Sequence, residues 1–379
     1  MRPVLALTLA AVLAAGCDSA VSCPGDPSCP EAPGGPGEVV AGVDLAALFA
    51  APTVAERDSV AARLARTGGT DAPRAVRIEA TQLATDTDAT RYVLLTLTVE
   101  GGQTAAFGLA RIPSNAFGAG APLPVLVLLP DGDGRTSEAA FLTGQVAAGL
   151  DRETVQIALA ARGAGLTSRG VGPQQSSSTA VVRRPDLPAG PYRADILDVL
   201  ALADLLGAVP RADLSRVALV GVGRGGAVAL LAAERRPGRF RAVASLGAPT
   251  SLFDPTVRAA VRNELLGLSR VNLPAVDALL APVRALRAGE VSLDEARLRL
   301  LDLSAAPFAD RLPATLAFHA DPDDVVPTAH LDRLREQGEG SLGARRRFVR
   351  VPEGRHEALL ATNDVTGVLA TFLTEQLRP

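Results

Sequence analysis

An α/β fold with a mostly parallel central sheet is predicted for this chain by three observations. Short continuous apolar runs alternate with amphipathic helical stretches from residue 123 onward. A strand, a glycine-rich turn and a helix start follow one another over residues 216–227. Hydrophobic residues make up 47% of the 379 positions, ample for a large core. Strands buried on both faces read as unbroken apolar runs, and parallel strands need helical crossovers between them.

The elements follow in order. Leu45, Leu48 and Phe49, then Val54, Val60 and Leu64, have helical spacing over residues 43–67. From Val76 to Ile112 the period shortens to that of strands, with Gly101-Gly102 as the turn between Tyr92–Val99 and Phe107–Ile112. Strands are expected at Leu123–Leu129, Val155–Ala160, Arg216–Val222, Ala242–Leu246, Ala314–Phe318 and Arg347–Val351. Helices are expected at Ser137–Leu150, Asp195–Val209, Gly225–Glu234 and Glu357–Leu377. Residues 162–192 show no period and read as a long loop. Residues 252–306 read as a helical cap insertion, with a capping box at Ser292-Leu293-Asp294-Glu295.

The amino end reads as an address. Arg2 precedes an apolar run, Val4 to Ala15, too short to span a bilayer comfortably. The run ends at Ala14-Ala15-Gly16-Cys17, which resembles the lipobox of bacterial lipoproteins, with Leu13 one place further from the cysteine than the commonest pattern. The resemblance implies lipidation of Cys17, a membrane anchor through the N-terminal lipid, and placement in the bacterial cell envelope. Residues 1–16 are then the signal peptide, and 17–42, rich in Pro and Gly, a tether. Cys23 and Cys29 within it are a candidate disulfide pair in an exported setting.

The central motif is Gly221-Val222-Gly223-Arg224-Gly225-Gly226. It resembles the nucleophile elbow G-x-S-x-G-G of α/β-hydrolases of the prolyl-oligopeptidase-like kind, serine peptidases and acyl esterases. Gly223 stands at the nucleophile position, where the family has serine. His319-Ala320-Asp321-Pro322-Asp323-Asp324-Val325-Val326-Pro327 resembles the family's H-G-x-x-D-x-x-V-P segment, which makes Asp323 the acid. His356, in Arg355-His356-Glu357, matches the base. Nucleophile, acid and base thus keep the family's chain order, at spacings of 100 and 33 residues. The resemblance covers roughly residues 75–379 and implies one α/β-hydrolase domain over 43–379, opened by the helices and strands of 43–112.

A second departure lies after Leu123–Leu129. The family usually places His-Gly there, in a loop that helps bind the oxyanion; this chain has Pro130-Asp131-Gly132. Asp131 and Arg224 are therefore the oxyanion-hole candidates. The Arg224 amide can donate, whereas a carboxylate near a developing oxyanion raises the barrier.

Gly221-x-Gly223-x-x-Gly226 also satisfies a dinucleotide fingerprint, but the strand after it ends at Leu246 where an acid belongs. His330 reads as a helix-surface residue, and Arg345-Arg346-Arg347 as a solvated turn. Ser245 ends a strand without an elbow. A net charge of −3, 3% aromatics and no tryptophan argue against nucleic-acid binding, and three histidines with three cysteines leave little for a metal. No cofactor is expected. The resulting expectation is an exported lipoprotein whose hydrolase-type domain is catalytically impaired and binds a small molecule or peptide in its pocket. The alternatives are an active ester or peptide hydrolase using another nucleophile around His356 and Asp323, and a purely structural surface protein.

Overall fold

The computed structural model describes residues 38–64, 72–81, 90–113, 121–137, 150, 152–169, 180–188, 192–268, 276–338, 345–352 and 354–378. Cys17, Cys23, Cys29, the signal segment and nearly all of the tether lie outside the described residues. So does the helix expected over 137–150, except at its ends.

Nine strands form one sheet. In chain order they are β3 (Ala75–Thr81), β4 (Thr90–Thr98), β5 (Thr104–Pro113), β6 (Leu123–Leu129), β8 (Val155–Leu159), β11 (Ala212–Val222), β12 (Ala242–Leu246), β13 (Ala314–Asp321) and β14 (Arg346–Pro352). Their spatial order is β14-β13-β12-β11-β6-β8-β5-β4-β3. The six strands from β14 to β8 run parallel, and β5, β4 and β3 continue the sheet antiparallel. The expected strands are all present, several of them longer than the apolar run alone suggests.

The period of two along each strand divides the core. Val125, Val127, Val217, Leu219 and Val243 face helices α3 (Tyr192–Leu205) and α4 (Gly223–Arg235), burying Ile196, Val199, Val228 and Leu231. Leu126, Leu128, Val220, Ala244, Leu316 and Phe318 point the other way, against Leu369, Phe372 and Leu373 of α9 (Asn363–Leu377). Both faces of the central strands are thus apolar, which is why those runs are unbroken in sequence.

Four expectations need correction. Residues 162–192 are not structureless: β9 (Leu166–Arg169) and β10 (Ala180–Arg183) pair antiparallel, and β9 also pairs with β7 (Thr136–Ser137) in a three-stranded sheet. Ser137 therefore lies in a strand, not a helix. The final helix is interrupted: a 3-10 turn, His356–Ala361, precedes α9. Ordered chain begins before residue 43, because β1 (Val39–Val40) pairs with β2 (Val43–Asp44). These pieces are too short to show a period.

The helices α1 (Leu45–Leu48) and α2 (Val54–Leu64) pack on the insertion, which contains α5 (Pro255–Leu266), α6 (Val276–Arg287) and α7 (Leu293–Asp302). Ser292 caps α7, its hydroxyl accepting from the Glu295 amide at 3.2 Å. Val60 and Leu64 meet Leu301 and Phe308 in a separate apolar cluster. Arg297 joins these parts. Its Nε donates to Glu56 at 2.6 Å and its Nη1 to the carbonyls of Ala47, Leu48 and Ala50. Without Arg297 the carbonyls of Ala47, Leu48 and Ala50 lose their donor, while the part-exposed Glu56 can turn to water. Arg297→Ala should therefore cost on the order of 2 kcal/mol in urea unfolding and expose residues 45–64 to limited proteolysis.

Candidate active site

The parallel strands bring their carboxyl ends to one edge, and the residues singled out by sequence meet there. The elbow is tight. Gly225 lies so close to the end of β6 that a Cβ on it would stand 2.3 Å from the Leu129 carbonyl oxygen. This contact sets α4 directly beside the loop that follows β6. Gly223, the first residue of α4, has φ +46°, a left-handed conformation that favours glycine.

Asp131 enters the space beside it. A Cβ on Gly223 would lie 1.9 Å from Asp131 Oδ1 and 2.5 Å from Oδ2. The carboxylate of Asp131 therefore occupies the place into which a side chain at 223 would project. Its Oδ1 accepts from the Arg224 amide at 2.9 Å, and Oδ2 meets His356 Nε2 at 3.2 Å. Asp131 is an acceptor filling the expected hole, and the amide offered by Arg224 is already engaged.

His356 stands at the start of the turn after β14. Its Nδ1 lies 3.0 Å and 3.1 Å from the two oxygens of Asp323. Asp323 is fixed in turn by the amides of Val325 and Val326, which donate to its Oδ1 at 2.9 Å and 2.8 Å. Asp323 and His356 come together as expected. The side chains of Asp323 and His356 are 0% and 2% exposed, whereas Asp131 is 28% exposed, so solvent reaches the array through Asp131.

Burial works against charge on all three groups, and mutual hydrogen bonding wins. Burial alone would pull His356 down, but its hydrogen bonds to Asp131 and Asp323 outweigh this and push it up to about 9. Burial would raise Asp131, yet His356 and the amides of Arg224 and Gly132 hold it below its ordinary value. Asp323 is lowered by His356 and its loop amides against the same opposing burial. At neutral pH the centre is carboxylate, imidazolium, carboxylate.

Several neighbours were not legible in sequence. The Arg224 guanidinium pairs with buried Asp195 at 2.5 Å and lies over the ring of Tyr192 at 5.8 Å. Asp195 also accepts from the Arg162 amide at 2.9 Å, and the Arg162 side chain pairs with Asp198. A cavity of about 20 Å³, space for one water, lies against Leu129, Pro130, Asp195 and Arg224. His330 is buried rather than on a helix surface, its Nδ1 accepting from the Thr250 and Ser251 amides at 3.2 Å and 3.3 Å. Arg346 is also buried, donating to the carbonyls of Gly338, Asp310 and Leu312, so the arginine run is not wholly solvated. A larger hollow of about 760 Å³ lies at the opposite edge, around Arg241, Arg311 and Ala314, away from this chemistry. Among the described residues no cluster suits a metal ion.

No family model matches the chain, and no curated protein matches it in sequence. Solved structures match most of its length. Acetyl xylan esterase 1 from Thermoanaerobacterium sp. JW/SL YS485 superposes with a TM-score of 0.56 at 17% identity, over 86% of this chain and 95% of that one. The fold is that of the α/β-hydrolases. The acetyl xylan esterase from Paenibacillus sp. R4 gives 0.55 at 15% identity, covering 88% and 99% of the two chains. Dipeptidyl peptidase 4 from Porphyromonas gingivalis gives 0.51 at 15% identity, over 76% of this chain and 36% of that chain. Esterases and peptidases thus share this α/β-hydrolase architecture, and at these identities the likeness concerns the fold.

The raised His356 links stability to pH. Below its ordinary value near 6.5 the imidazole is charged in the folded and unfolded states alike, and the ion pairs contribute in full. That contribution is lost as pH rises through about 9. Unfolding free energy should fall by on the order of 2 kcal/mol between pH 6.5 and 9.5 after allowance for screening. In His356→Gln this fall should vanish, which urea titrations at several pH values would read.

Proposed function

We propose that this chain is an exported, lipid-anchored protein of α/β-hydrolase fold that has lost serine-type acyl transfer and serves to bind a small molecule or peptide. The observation that carries the reading is the Asp131 carboxylate standing where the elbow side chain would be. Three further facts support it. Gly223 offers no nucleophile. The Arg224 amide, a natural oxyanion donor, is taken by Asp131. His356 is held protonated between two carboxylates, so it is a poor base at neutral pH. The apolar segment ending at Ala14-Ala15-Gly16-Cys17 supports export and anchoring.

The wild type should not raise p-nitrophenyl acetate hydrolysis above the buffer rate. Gly223→Ser alone should be destabilised by on the order of 2 kcal/mol, because the new side chain collides with Asp131 in a left-handed backbone. Gly223→Ser with Asp131→Gly is rid of that contact but keeps the backbone strain and gives up the Asp131–His356 pair, so it should stay less stable than the wild type. It should also gain ester hydrolysis about 10²-fold or more above the wild type, as His356 and Asp323 regain a hydroxyl to activate. Wild-type hydrolysis that His356→Ala abolishes would refute the proposed loss of activity.

The anchor has its own test. In a bacterial host the full chain should fractionate with membranes, and Cys17→Ser should leave the mature chain without incorporated palmitate label. Equal labelling of both forms would overturn the lipoprotein reading.

A further inference from the structure

We propose that the hollow at the amino ends of β12, β13 and β14 binds a small soluble anion carrying two or more linked phosphoryl groups. It lies at the edge of the sheet opposite Asp131 and His356. The proposal gives the binding role above a place of its own and does not depend on the loss of acyl transfer.

Sheet register assembles the site. Parallel strands that start in register set their first residues side by side. Ala242 of β12 pairs with Ala314 of β13, and Thr315 of β13 with Arg346 of β14. Arg241 directly precedes β12, Arg311 precedes β13 across Leu312-Pro313, and Arg345 directly precedes β14. All three line the hollow of about 760 Å³, a size suited to a small molecule. Two strand spacings, about 10 Å, separate the outer strands.

These arginines differ from others in the chain. Arg216, Arg258 and Arg350 are matched by Asp213, Glu38 and Asp332. Arg241 and Arg311 are held by backbone instead. Arg241 Nε donates to the Ser215 carbonyl at 3.2 Å, and Arg311 Nε to the Glu234 carbonyl at 3.1 Å. Those bonds fix each fork and leave its Nη groups for a ligand. Among the described residues no carboxylate pairs with Arg241, Arg311 or Arg345. The acids nearby have other neighbours. Glu375 is held by Arg347 at 3.0 Å, and Asp310 lies beside buried Arg346, whose Nη2 donates to its carbonyl at 3.2 Å. Burial disfavours charge on Glu234. Positive charge thus collects here in a chain whose net charge is −3.

Charge and shape select the ligand. Phosphoryl oxygens accept bidentate hydrogen bonds from guanidinium forks. Arginines arriving from three strands approach an anion from different sides, which suits a tetrahedral group better than a flat carboxylate. One phosphoryl group does not reach across about 10 Å, so engaging all three arginines takes linked groups. Phe240 is the aromatic residue of the lining and is buried, so it has no open face on which a base could stack. Recognition is therefore of the phosphoryl chain itself. A phospholipid headgroup with a single phosphodiester carries one negative charge and leaves the other forks unmet.

The test uses the full chain in detergent and sodium tripolyphosphate. Calorimetric titration at low salt should show saturable binding. Arg345→Gln, at an exposed position, should weaken it about tenfold or more, and so should Arg311→Gln. Arg311→Lys, which keeps the charge without the fork, should recover only part of the affinity. Arg287→Gln, at an exposed position on α6 outside the hollow, should bind as the wild type does. Circular dichroism checks that the variants fold, and Arg345→Gln carries the test should Arg311→Gln not fold. No saturable binding by the wild type, or equal affinity in wild type and Arg345→Gln, would overturn the proposal. Equal losses in Arg287→Gln and Arg345→Gln would overturn it too, because they would mark general attraction between charges. Dissolved dihexanoyl phosphatidylglycerol should not displace tripolyphosphate at equal concentration. Displacement would overturn the assignment of a multiply phosphorylated ligand and point to a lipid headgroup. Hydrolysis of p-nitrophenyl acetate reads the elbow alone, so its outcome and that of the titration are separate.

Discussion

The centre of this protein is organised by the place of one carboxylate, that of Asp131 above the bare backbone of Gly223. A β-carbon at 223 would stand 1.9 Å from the carboxylate of Asp131, so that side chain would have to turn aside. With the carboxylate in place, the Arg224 amide at the start of helix α4 has an anion to bind, and the histidine has a charged neighbour on each ring nitrogen. The contact depends on the close approach of α4 to the end of β6, which the bare backbone at Gly225 permits. Sheet register, glycine placement and site chemistry are therefore one problem.

The same three positions of the fold can run opposite proton logic. A serine centre needs a neutral imidazole at rest, ready to accept a proton from the hydroxyl. Between Asp131 and Asp323 the imidazole is instead a cation at rest, because two hydrogen-bonded carboxylates outweigh the cost of burying its charge. The protein spends no extra element on this change. It exchanges one side chain on the loop after β6 and one on the elbow, and the resting charge of the histidine inverts.

Much of this could be read before any coordinates. The parallel strands were legible because both of their faces are buried, leaving unbroken apolar runs such as Leu123–Leu129. Asp323 and His356 were legible through their order after the elbow, and the structure brings them together. The meaning of Asp131 was half legible. Its oddity beside an oxyanion site was plain, but that its carboxylate fills the space above Gly223 depends on a contact across 91 intervening residues and on one side-chain direction. His330 and Arg346 were misread as solvated because polarity was the only local clue. Both are satisfied inside by backbone groups that no short pattern announces. The β7, β9 and β10 strands were missed because they span only two to four residues.

The contact at the elbow also couples two distant positions. A β-carbon at 223 would turn the Asp131 carboxylate away from the Arg224 amide and from His356 Nε2, both of which it now holds. Substitutions at 131 and 223 therefore do not add: each changes what the other is worth. The two positions, far apart in the chain, vary as a pair.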